Sequence, residues 1–287
     1  MPIPPAFSVI RTRAAVVEEL RRLLPRLERS RPAVAPAALA FGLAAVDSHL
    51  PQGGLPRGAL HEVVAEADGT AAAFGFIVAL LGIILPRKAG ENDPTVFFVL
   101  PNYGLGQSGR LYGHGLRALG LDPAGAILVE PAHRRDTLWA IEEAVRSRAV
   151  AAVAGAIDRL DLKTSQRLHL AAADAGLPLF LLRQGAPSLS SPACGGGWGG
   201  GSAAATRWRV GPAKAARDRF GLLTRARWHL LLERCRNGRA GEWTVEYDHV
   251  AHRFSLAAAL ADPALSGGAG EKYEKYKKYE KSLATPY

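Results

Sequence analysis

Between about residue 41 and residue 184 the sequence alternates short apolar runs with stretches of helical periodicity, and this rhythm constrains the fold more than any single motif. The strand-like runs are Ala59–Ala65, Thr95–Leu100, Ala126–Glu130, Val150–Gly155 and Leu177–Arg183. The helical stretches between them are Ala71–Leu85, Gly109–Leu119, Arg135–Arg148 and Lys163–Ala175. Strands that are apolar on both sides need cover on both faces, and strands separated by helices connect in parallel. The expected class is therefore α/β, a mainly parallel sheet flanked by helices. Three more strand-like runs follow, Thr206–Val210, Ala226–Glu233 and Glu242–Tyr247. The last two are joined through Arg236-Asn237-Gly238-Arg239, and Asn-Gly is a strong hairpin signal. They are expected to extend the sheet with antiparallel edge strands.

The flanks of this pattern have a different character. Residues 9–30 read as a basic amphipathic helix, with Val9, Val16, Val17, Leu20, Leu23, Leu24 and Leu27 at helical spacing and arginines between them. Pro25 kinks or ends it, and Pro32 and Pro36 mark a linker. Docking suits such a helix better than a membrane surface, because no Trp or Phe anchors its apolar side. Residues 186–205, rich in Ser and Gly, read as a mobile loop. The Glu-Lys-Tyr repeats near the end have no means of burying a core and read as a disordered charged tail. The expected division is a helix and linker over 1–36, a core with its hairpin extension over 37–262, and a tail over 263–287.

A net charge of +10, carried mostly by Arg, favours an anionic partner or solvated helix faces. The two cysteines, Cys194 and Cys235, are far apart and suit a reducing cytoplasm. His114, His133, His169 and His229 are scattered without the spacing of a zinc site. The apolar run Ala71–Pro86 is shorter than the roughly 20 residues that span a bilayer, so no membrane role is expected.

The stretch Phe41-Gly42-Leu43-Ala44-Ala45-Val46-Asp47, continuing to Gly53-Gly54-Leu55-Pro56-Arg57-Gly58, resembles the opening of RecA-family recombinase cores. There a short helix and a Gly-Gly turn lead into the first strand, here Ala59-Leu60-His61-Glu62-Val63-Val64. The resemblance implies a phosphate-binding loop next, whose backbone N–H groups and Lys hold a nucleotide. The chain has Ala65-Glu66-Ala67-Asp68-Gly69-Thr70-Ala71-Ala72 instead. The Lys is missing, only Gly69 and Thr70 are left of the motif, and Glu66 and Asp68 add negative charge. Each such carboxylate opposes a phosphate by roughly 1 kcal/mol or more at ~4 Å. The general-base Glu expected after the second strand is matched by Asn102, which cannot accept a proton. The acid expected at the end of a later strand aligns with Gly155, with Asp158 and Asp161 just beyond. Gln184 stands where recombinases couple nucleotide to DNA, and reads here as a strand-end hydrogen bonder. These losses imply a fold kept without ATP hydrolysis: no catalytic residues, no cofactor and no metal.

Across about residues 9–263 the pattern is similar to the ImuA family, RecA-like accessory proteins of bacterial SOS mutagenesis cassettes. The resemblance rests on His61-Glu62, Ala204-Ala205-Thr206-Arg207-Trp208-Arg209-Val210, Arg236-Asn237-Gly238-Arg239, Gly241-Glu242-Trp243, Tyr247-Asp248 and His252-Arg253-Phe254. It implies a cytoplasmic, non-catalytic adaptor in error-prone translesion synthesis. The implied partners are an ImuB-like Y-family polymerase homologue, RecA and, indirectly, an error-prone C-family DNA polymerase. DNA contact is expected to be weak or indirect, since no Lys or Arg lies between Gly185 and Ala205 to neutralise phosphates. Candidate contacts are Arg11, Arg13, Arg21 and Arg22 of the N-terminal helix, and Arg207, Arg209, Arg225, Arg227, Arg236 and Arg239 of the C-terminal strands. Strand alternation puts Arg207 and Arg209 on one face and Trp208 on the other, in the core. A SulA-like division inhibitor and a DNA-binding RecA-like protein stay open as alternatives.

Overall fold

In a computed structural model of the chain, residues 38–85, 94–101, 109–183, 202–215, 217, 220 and 222–257 are described. The sequence-derived helix over 9–30, with Arg11, Arg13, Arg21 and Arg22, lies outside them. So do Asn102, Gln184, most of the 186–205 segment and the C-terminal repeats.

The described strands are β1 (Leu60–Ala65), β2 (Val96–Val99), β3 (Ala126–Val129), β4 (Ala152–Ile157), β5 (Leu179–Arg183), β6 (Thr206–Pro212), β7 (Arg227–Cys235), β8 (Gly241–Asp248) and β9 (Arg253–Leu256). They form one sheet in the order β3-β2-β4-β5-β1-β6-β7-β8-β9. β1 pairs in parallel with both β5 and β6, and β2 pairs in parallel with β3 and β4. From β6 onward the pairing is antiparallel. The helices are α1 (Ala44–Asp47), α2 (Thr70–Ile84), α3 (Gly113–Ala118), α4 (Arg134–Ser147) and α5 (Leu162–Ala175). Among the described residues no helix is long and apolar enough to cross a membrane.

Two of the expected elements shift. β4 begins at Ala152 and runs through Ile157, past the Gly155 end read from the sequence, so Asp158 follows the strand directly. β9 was not expected as a separate strand, because the four-residue Arg253–Leu256 is too short to show a period.

The sheet divides two cores. On one face α2 is apolar almost all round, as a helix buried on every side must be. It packs on Val63, Ala65, Trp208, Val210, Trp228, Leu230 and Tyr247. Phe41 stacks on Trp208 and on Phe254, with ring centroids 5.9 and 5.0 Å apart. Asp47 positions that ring: its carboxylate accepts from the backbone N–H groups of Phe41, Gly42 and Leu43 at 2.7, 3.0 and 3.1 Å. On the other face α4 and α5 cover Leu60, Val99, Val153, Ile157, Leu179 and Leu181. They leave β6–β8 uncovered there, and that face carries charged side chains instead.

Two histidines are built into this framework as neutral groups. His61 is fully buried on β1, with Nδ1 2.8 Å from Thr206 Oγ1 and Nε2 3.0 Å from the Pro56 carbonyl. Burial pushes its pKa down from 6.5 to about 4, despite the Pro56 hydrogen bond. His169 on α5 accepts from the Leu60 N–H at 3.3 Å, and burial with the nearby Arg236 charge lowers it to about 4 as well. Both folded values lie below the unfolded one. Stability is therefore intact above pH 6.5 and is lost as pH falls toward 4, because the unfolded imidazoles gain protons first. For His61 alone the loss is on the order of 3 kcal/mol. Urea midpoints should fall steadily between pH 7 and pH 4.5, and His61→Gln should flatten that slope.

Candidate functional site

β1 passes into α2 through Glu66, Ala67, Asp68 and Gly69, the stretch that aligns with the recombinase phosphate-binding loop. The turn closes on itself: the Gly69 N–H donates to the Glu66 carbonyl at 2.9 Å, and the Ala73 N–H donates to the Gly69 carbonyl at 2.8 Å. Asp68 takes the left-handed conformation, φ 57°, which Asp tolerates better than most residues. The Glu66 N–H is held by the Val210 carbonyl on β6 at 2.9 Å. A phosphate loop works by leaving such N–H groups turned toward an anion. Here the N–H groups of Glu66 and Gly69 are already paired within the protein.

The Glu66 side chain runs across the sheet. It lies over Gly211 on β6, where a Cβ would overlap its carboxylate. It reaches His229 on β7, with Oε1 3.0 Å from Nδ1, and Nε2 of the same ring lies 2.8 Å from Glu242 Oε1 on β8. Burial alone pushes His229 down, but hydrogen bonds to Glu66 and Glu242 and their charges outweigh it, so its pKa is raised. An imidazole donates to both carboxylates at once only when protonated. The Glu66–His229–Glu242 bridge ties the turn to two antiparallel strands. The sequence gives no sign of it, because its members meet only through sheet pairing.

The later positions that align with the recombinase pattern have structural duties. A Cβ on Gly155 would stand 2.7 Å from Ile141 Cδ1, so this glycine is where α4 presses onto β4. Asp158 pairs with Arg134 at 3.1 Å and accepts from the Arg159 N–H at 2.7 Å. Asp161 caps α5, accepting from the Thr164 N–H and Oγ1, both at 2.8 Å. Those hydrogen bonds hold its carboxyl below the usual range.

The candidate arginines divide by place. Arg207 lies beside Glu62, which is fully buried on β1, at 2.9 Å, and Arg183 approaches the same carboxylate at 3.5 Å. Ser202 donates to Glu62 as well, and its carbonyl accepts from Arg234. Arg209 pairs with Glu233 at 2.6 Å and Arg227 with Glu246 at 2.9 Å. Arg225 reaches Glu246 and Asp248, both at 3.0 Å. Arg207, Arg209 and Arg227 form cross-strand ion pairs on the sheet face away from α2, with Arg225 joining from just before β7, while Trp208 on the opposite face is fully buried. Arg236 and Arg239 sit at the β7–β8 turn, at the sheet edge away from Glu66. Arg239 Nη2 donates to the Ser48 carbonyl at 3.2 Å, and Arg236 is exposed.

No protein-family model matches the chain. A protein named ImuA, in two strains of Caulobacter vibrioides, is 34% identical over 240 residues. That alignment spans 78% of this chain and 90% of the relative. The chain belongs to the ImuA family. Its fold is also that of a solved recombinase, RadB, with a TM-score of 0.52 at 16% identity, covering 77% of this chain and all of the other. That likeness, with the parallel core and antiparallel β7–β9, shows the ImuA-family chain to be RecA-like in fold. Among the described residues no group of three or more His, Cys, Asp or Glu is placed to hold a metal. Burial pushes the Cys235 thiol up to about 11, away from the thiolate a nucleophile needs.

Proposed function

We propose that this chain is a non-catalytic RecA-like adaptor in SOS-induced, error-prone translesion DNA synthesis. Membership of the ImuA family supports a place in SOS mutagenesis. The observation that carries the non-catalytic part is the closed Glu66–Gly69 turn, with its carboxylate bound to His229. A triphosphate at this turn would face Glu66 and Asp68 with no Lys to offset them. The proposed partners are an ImuB-type polymerase homologue and RecA, with an error-prone C-family polymerase recruited indirectly. DNA contact is secondary on this reading, because Arg207, Arg209, Arg225 and Arg227 are already committed to carboxylates.

The test is to measure binding of the purified chain to the purified ImuB-type homologue and to RecA, with and without ATP. The adaptor reading expects saturable binding to at least one of them, with the affinity unchanged within about twofold by nucleotide. Binding to neither, or binding that requires ATP, overturns it.

A further inference from the structure

The connection between β6 and β7 covers residues 213–226, far longer than the usual two- to five-residue hairpin loop. Long connections inside a compact domain are commonly functional. Its described residues are tied together: the Ala213 N–H donates to the Arg227 carbonyl at 3.1 Å, and Arg217 and Leu223 form an antiparallel bridge farther out. Its base is fixed to β8 by Arg225, which holds both Glu246 and Asp248. A small hairpin thus continues beyond the sheet edge on an anchored root.

Its outer end is apolar. Phe220, Leu222 and Leu223 are 72%, 65% and 65% exposed. Among the described residues this is the one place where three large exposed apolar side chains fall within four positions of the sequence. Apolar side chains left this exposed forgo the gain of burial, and clusters of this kind mark interaction sites. The surrounding sequence is basic, with Lys214, Arg217 and Arg219 against Asp218. The hairpin leaves the same edge as the closed turn, and a Cβ on Gly69 would lie 3.2 Å from Pro212 Cδ at its root.

We infer that Phe220, Leu222 and Leu223 form an anchor that inserts into an apolar groove rimmed by carboxylates on a protein partner. Two leucines beside one aromatic ring favour a dry protein groove over nucleic acid, since leucine offers no face on which a base can stack. The basic flank matches an acidic rim and speeds encounter. This inference rests on the adaptor reading, because it needs a protein partner.

The test compares the full chain, a Phe220→Ser/Leu222→Ser/Leu223→Ser variant, Lys214→Glu, and Leu170→Ser as a control at an exposed apolar site on α5. Each is titrated against the purified ImuB-type homologue, RecA and a single-stranded oligonucleotide, with thermal melting run alongside. The expected result is a loss of roughly tenfold or more in affinity for one protein partner with the triple variant, at unchanged melting temperature. Lys214→Glu should cost about two- to fivefold at low salt and less at high salt. Leu170→Ser should match the unaltered chain. Unchanged protein binding by the triple variant overturns the hairpin anchor and leaves the adaptor reading standing. A loss confined to the oligonucleotide overturns it in favour of a DNA contact. Binding of neither protein by the unaltered chain overturns both readings.

Discussion

Glu62→Ala is expected to destabilise the fold by about 3–5 kcal/mol, the cost of breaking a buried ion pair from one side. Glu62 is fully buried on β1, between Arg207 on β6 and Arg183 on β5. Among the described residues the Nε of Arg183 and an Nη of Arg207 are buried without a hydrogen-bond partner. Removing the carboxylate leaves two largely buried guanidinium groups facing each other, and the Ser202 hydroxyl loses its acceptor too. Replacing Glu62, Arg183 and Arg207 together by leucine or methionine should recover most of the loss, because the desolvation of all three charges then disappears. Urea unfolding of the single and triple variants checks both parts. A single variant within about 1 kcal/mol of the unaltered chain would show that water reaches the cluster and that it is not buried as described.

Gly155→Asp, which places an acid at the position aligned with the RecA-like metal-binding residue, should cost more than about 4 kcal/mol or leave the chain insoluble. Even a bare Cβ there meets Ile141 Cδ1 at 2.7 Å and Leu181 Cδ2 at 3.4 Å. An aspartate adds an unpaired charge beneath α4, in a core of Ile141, Val145, Val153 and Leu181. Gly155→Ala should be milder, about 1–3 kcal/mol, and Ile141→Val in the same chain should recover part of it. Thermal melting of these variants separates overpacking from charge burial. Gly155 is a contact point between helix and sheet, where any side chain meets Ile141.

The parallel core was legible because its strands are apolar on both faces and its helices supply a second period. Trp208 could be assigned to the core, and Arg207 and Arg209 to the other face, by alternation alone. The end of β4 was misjudged at Gly155 because Ala156 and Ile157 carry no breaker to separate strand from turn. The Glu66–His229–Glu242 bridge was beyond reach for a different reason. Its members come from a turn and two strands, and only the β6–β7 and β7–β8 registers bring them together. The arginines stood out in sequence as a basic cluster, but their carboxylate partners are spread over β1, β7 and β8. The hairpin tip was hidden because Phe220, Leu222 and Leu223 look like any short apolar run until their exposure is known.

The central claim is that the Glu66–Gly69 turn, closed by its own hydrogen bonds and bound to His229, does not serve a nucleotide. Isothermal titration of Mg-ATP into the purified full chain tests it most directly, with a RecA-family ATPase as the positive control. The expected result is no saturable heat up to about 1 mM, which bounds the binding free energy at roughly −4 kcal/mol or weaker. A dissociation constant of about 10 μM or tighter, lost on Thr70→Val or Gly69→Val, would contradict the account and return this turn to the phosphate-binding loops.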